Sequence, residues 1–135
     1  MSNLDIAIGK KWLKYAHRDF EDAKFTFQGR RYSLSCFLSQ QTAVKALKAY
    51  LSCKGKEKVD EKTVTELCDC AKLMNPAFGE NKNRWTELDN YLFQTRFPDS
   101  ISEGIPAMSF SDADAGKALN IAAEISGFIS RAMKE

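Results

Sequence analysis

The chain has 135 residues, enough for one domain with its own core and too few for two. Its hydrophobic share of 44% is that of an ordinary globular protein, and no run of 18 apolar residues offers a transmembrane helix. The formal net charge of +2 hides an uneven spread, with 12 Lys/Arg against 5 Asp/Glu in residues 1–58 and 8 against 13 in residues 59–135, which fits an anionic partner, attraction between the two halves, or attraction to a second copy.

The opening residues, Met1 to Asp5, lack the basic and then apolar segments of a secretory signal, so a cytoplasmic address is expected. The first helix is predicted from about Ile8 to Gln28, with Trp12, Tyr15, Ala16, Phe20, Ala23 and Phe27 on one stripe of 3.6-residue periodicity and Gly29 ending it. A second helix follows from about Arg31 to Cys53, and the short connection makes the two antiparallel. Gly55 closes it within the basic run Lys54 to Lys58. Thr63 to Glu66 reads as a capping box opening a third, shorter helix that Asn75 and Pro76 stop. A fourth helix, about Arg84 to Thr95, buries Trp85, Leu88 and Leu92. The last opens at Ser111, with Asp112 and Asp114 suiting the positive end of its dipole, and presents an inner stripe from Ala115 to Ala132.

Nothing in the pattern alternates as a strand would, so residues 1–135 are expected to form a single all-α helical domain. The segment Phe97 to Phe110 holds two prolines and a glycine and interrupts helical structure. Connections of this length are uncommon in bundles, and are often functional or mobile. Arg96 and Asp99 flank its start and could pair with each other, cap helix ends, or present charges to a ligand.

Few residues carry chemistry. Cys68 and Cys70, two apart on a helix, point to different faces, and His17 is the only histidine, so neither a disulfide pair nor a zinc set is expected and no metal or cofactor is implied. Gln40 falls on the apolar stripe of the second helix, where its amide must find partners: a helix–helix hydrogen bond, the helix edge, or a small cleft near Arg96. Lys45 and Lys48 lie three apart on one flank of that helix, expected to be exposed. They could meet phosphates, or form an ordinary solvated face without the exposed aromatics of a single-strand binder.

Three stretches resemble the HEPN family, the helical domain named for higher eukaryotes and prokaryotes nucleotide-binding. Trp12 to Ala23 is similar to the family's opening helix. Cys36 to Ala49, with Gln40-Gln41-Thr42-Ala43-Val44-Lys45-Ala46-Leu47-Lys48, resembles its Gln-Gln-Ala-x-Glu-Lys-Ala-Leu-Lys core. Arg96-Phe97-Pro98-Asp99 is close to the Arg-Tyr-Pro-Asp turn of many prokaryotic members. The resemblance spans about residues 10–133. It implies an up-and-down four-helix bundle with an additional short helix, commonly a homodimer. Many members sit beside a small nucleotidyltransferase protein in a toxin–antitoxin-like pair.

Other branches are metal-independent ribonucleases, whose motif is an arginine followed four to six residues later by a histidine. Here that window after Arg96 holds Ile101, Ser102 and Glu103, and no histidine follows His17. Cleaving RNA without metal needs a positioned proton carrier, which arginine cannot be. The expectation is therefore a non-catalytic binding module, with nucleotide or RNA contact by Arg96, Asp99, Gln40, Lys45 and Lys48. The alternative is a divergent ribonuclease pairing Arg96 with Asp99 or Glu103.

Overall fold

The computed structural model describes residues 2–96 and 110–134, the side chains of 93–96 excepted. The described residues contain helices and no strand: α1 (Asn3–Gln28), α2 (Tyr32–Cys53), α3 (Val64–Lys72), the one-turn α4 (Ala77–Glu80) and α5 (Lys82–Trp85), α6 (Leu88–Arg96) and α7 (Asp112–Ala132). No helix among them is long and apolar enough to cross a membrane.

α1 begins at Asn3, five residues before the predicted start. Ser2 supplies the reason: its side chain accepts from the Asp5 amide at 3.0 Å while the Asp5 carboxylate accepts from the Ser2 amide at 3.1 Å, a capping box that the apolar periodicity does not register. Gly29 ends the helix, and Arg30, at φ 61, turns the chain back through left-handed backbone. α2 then runs antiparallel: Gly9 lies against Ala49 and Cys53, while the Ser35 hydroxyl near the other end donates to the Ala23 carbonyl at 2.8 Å. Gly9, Ala16 and Ala23, each seven apart and each buried, let the two backbones approach closely. A Cβ on Gly9 would stand 2.8 Å from the Ala49 carbonyl oxygen.

α2 is the central element, buried along most of its length and touching α1, α3, α6 and α7. α6 runs antiparallel to it and α7 parallel to it. Gln40 meets Asp89, Phe110 just before α7 stacks edge-on against Tyr91 at 6.0 Å, and Phe78 bridges Tyr50 on α2 to Phe128 near the end of α7, with centroids at 4.7 and 5.0 Å. The result is an up-and-down four-helix bundle of α1, α2, α6 and α7, with α3 and the two one-turn helices packed beside it. Trp85 joins Phe78 and Phe128 in an aromatic cluster that closes one end.

Local differences from the sequence reading have local causes. The predicted fourth helix breaks at Thr86 and Glu87, so that Trp85 and Leu88 both reach the core from separate segments. The periodicity places Tyr15 on the inner stripe of α1. It is exposed instead, because the α1–α2 contact follows the small residues and leaves Trp12, Phe20 and Phe27 at its margins. In α7 the inner stripe is as expected, with Ile121 added to it and Leu119 half-buried. Of the segment Phe97 to Phe110, only Phe110 lies within the described residues, and it is buried.

Candidate functional site

The polar residues of α2 converge on two places. The first is a buried junction of α2, α3 and α6 built around Asp89, which stands one residue inside α6. Its Oδ1 accepts from the Gln40 side-chain amide at 3.1 Å and from the Val64 backbone N–H at 2.8 Å. Its Oδ2 accepts from the Thr65 backbone N–H at 2.9 Å and the Thr65 hydroxyl at 2.7 Å. Val64 and Thr65 are the first residues of α3, whose amides have no partner inside the helix, so the carboxylate caps α3 from a different element. Gln40 is completed by the Gln41 amide, which donates to its oxygen at 2.8 Å, and by a long contact to the Lys62 carbonyl at 3.5 Å.

This junction modifies the predicted capping box. Thr63 accepts from the Glu66 amide at 3.1 Å as expected, but the Glu66 carboxylate accepts from the Thr63 hydroxyl at 2.9 Å, and Asp89 accepts from the Val64 and Thr65 amides. Above Asp89 lies a shallow hollow bordered by Thr63, Thr65, Glu66, Thr86, Glu87 and Asn90. Three carboxylates, Glu66, Glu87 and Asp89, and no cation line it among the described residues, which does not suit a phosphate.

The second place is the seam between α2 and α1. Lys45 and Lys48 are half-buried there and not on an open flank. The Lys45 ammonium pairs with Asp19 of α1 at 2.5 Å, and that of Lys48 sits 5.1 Å from the ring centroid of Trp12. Partial burial pushes the Lys48 pKa down, partly offset by Glu61 and Asp60. Neither lysine is brought to Gln40.

Arg96 is the last residue of α6, two turns beyond Asp89, and Asp99 lies outside the described residues. His17 is on the exposed side of α1, a different element. Cys36, Cys53 and Cys68 are buried and Cys70 is half-buried with its thiol 3.6 Å from Glu61; none of them forms a disulfide. Burial pushes the Cys36 and Cys68 thiols up to about 12, so neither is a nucleophile at neutral pH. Asp89 is the residue that sequence reasoning missed. Its one visible signal is an acid four residues after Trp85.

A model of the HEPN domain matches residues 10–132. The chain belongs to the HEPN family. The solved structures agree: it is similar to TT1696 from Thermus thermophilus, with 26% identity, a TM-score of 0.79, and 92% of this chain and 97% of that one covered. It is also similar to ST0689, described as an archaeal HEPN homologue, with 34% identity, a TM-score of 0.76, and coverage of 93% and 97%. No curated protein matches the sequence. Within the HEPN fold, the Gln-Gln motif of α2 meets Asp89 of α6, and its two lysines face α1.

Proposed function

We propose that this chain is the non-catalytic, binding member of a two-protein system: a cytoplasmic HEPN homodimer that engages a small nucleotidyltransferase protein in a toxin–antitoxin-like pair, with a nucleotide contact at the Arg96–Asp99 turn. The observation that carries this reading is a HEPN chain without the histidine of the family's ribonuclease branches. Its one histidine, His17, is on the exposed side of α1, whereas Arg96 closes α6. An arginine holds a phosphate well but cannot shuttle a proton.

The placement of the other polar residues supports binding at that turn and narrows its membership. Gln40 is saturated by Asp89 and Gln41, and Lys45 by Asp19, so these residues hold helices together. Lys48 rests on Trp12. Arg96 and Asp99 are then the members of the set that meet a nucleotide.

The test is co-expression with a small nucleotidyltransferase of the kind found beside HEPN proteins, followed by size-exclusion chromatography, and calorimetric titration with ATP. Stable co-elution is expected, together with a binding heat that Arg96→Ala abolishes and Lys45→Met retains. Separate elution with no binding heat overturns the proposal.

A further inference from the structure

The first part of α1 carries a basic strip on its outward side. Lys10, Lys14 and Arg18 follow one another at steps of four, and Lys11 precedes Lys14 by three, so the four side chains share one side of the helix. With Ala7 and Tyr15 they border a shallow depression. All four are exposed, and none is ion-paired with a described residue, whereas Lys45, Lys56 and Arg84 are. No carboxylate borders the depression among the described residues. The acids of the same helix are engaged or lie beyond the strip: Asp5 caps the helix start at Ser2, Asp19 pairs with Lys45, Glu21 pairs with Lys24, and Asp22 comes a full turn after Arg18.

One edge of the strip is apolar. Leu4, Ile8 and Tyr15 run along it and are 68%, 41% and 41% exposed. Leu4 and Ile8 also border a hollow with Trp12, Ser52 and Val59, and Tyr15 meets Trp12 edge-on at 6.4 Å. Apolar surface is thus continuous from exposed Leu4 to half-buried Trp12, and the acids Asp5 and Glu57 border the hollow and not the strip.

We propose that this face of α1 is a peripheral docking surface for an anionic phospholipid bilayer, with Lys10, Lys11, Lys14 and Arg18 among the headgroups and Leu4 and Ile8 reaching below them. Anionic lipid attracts clustered Lys and Arg over about a Debye length, and a basic helix face beside apolar side chains lies in the plane of the interface. Tyr15, with an apolar body and a polar tip, suits the headgroup level. Glu21 and Asp22 are repelled by the same lipid, so α1 docks by its first part and tilts its end away. A nucleic-acid strand would offer these cations its phosphates, but it gives Leu4 and Ile8 nothing to bury in, and Tyr15 is the one exposed ring beside the strip among the described residues. The apolar edge therefore favours the bilayer. The surface goes beyond the pairing and nucleotide contact proposed above, and Arg96, on α6, takes no part in it.

Co-sedimentation of the full chain with sucrose-loaded vesicles tests the surface, comparing phosphatidylcholine alone with phosphatidylcholine carrying about one third phosphatidylglycerol. Wild type is expected to pellet with the anionic vesicles at low salt, to stay in solution with phosphatidylcholine alone, and to be released at about 0.5 M salt. Lys11→Glu should weaken partitioning about tenfold and Leu4→Ser about threefold or more, whereas Lys72→Glu, the same charge change on α3, should alter it less than about twofold. Circular dichroism verifies that each variant is folded. Wild type that stays in solution with the anionic vesicles overturns the proposal, and if it then binds oligo-uridine RNA through Lys11 the face serves nucleic acid instead. Equal weakening by Lys11→Glu and Lys72→Glu also defeats it, because net charge and not this face then does the binding. Partitioning that Leu4→Ser leaves intact contradicts the inserted apolar edge and with it the choice of a bilayer.

Discussion

The two polar clusters of α2 use the same short motif in physically different ways. At the Asp89 junction a buried carboxylate collects hydrogen bonds from three residues on two other elements, and removing it would strand the buried Gln40 and Val64 donors. At the α1 seam, Lys45 and Asp19 meet as a partly solvated ion pair, whose attraction is screened and whose partners can return to water. The first cluster fixes where α6 and α3 sit, and the second trims an interface that Gly9, Ala16 and Ala23 already hold close. A motif that reads as one ligand-binding set is therefore two structural devices of unequal strength.

The largest effect should come from Asp89→Ala. It leaves the Val64 and Thr65 amides and the Gln40 side chain without their acceptor, and a loss of about 3 kcal/mol in denaturant unfolding is expected. A change below about 1 kcal/mol would mean that water enters the junction. Gly9→Ala comes next, at about 2 kcal/mol, because the added methyl meets backbone and a Cβ at 2.8 Å and the helices must separate. Lys45→Met should cost under about 1 kcal/mol by the same measurement, as for other partly exposed pairs. If Lys45→Met cost as much as Asp89→Ala, the contrast between the clusters would fail.

Much of this fold was legible because it depends on local chemistry. The stripe of α7 and its start at Ser111 were readable from spacing alone, and so was the end of α1 at Gly29. The outward turn of Tyr15 was not, since a stripe of six apolar residues does not say which edge a neighbour covers, and the small residues decided it. The break at Thr86 has no proline or glycine to announce it. Asp89 was illegible for a different reason: a buried acid is recognisable only from the donors that surround it, and those come from α2 and α3. Gln40 stood out in the sequence as a polar group on an apolar stripe, but its partner could not be named without the fold.

The proposed reading is that this HEPN chain binds and does not cleave RNA. A time course on labelled single-stranded RNA, with purified wild type and Arg96→Ala in the presence of a metal chelator, tests it most directly. The account predicts that both show the same background rate over hours. Cleavage by the wild type that Arg96→Ala abolishes would contradict it, and would make Arg96 part of a ribonuclease that uses a carboxylate in place of histidine.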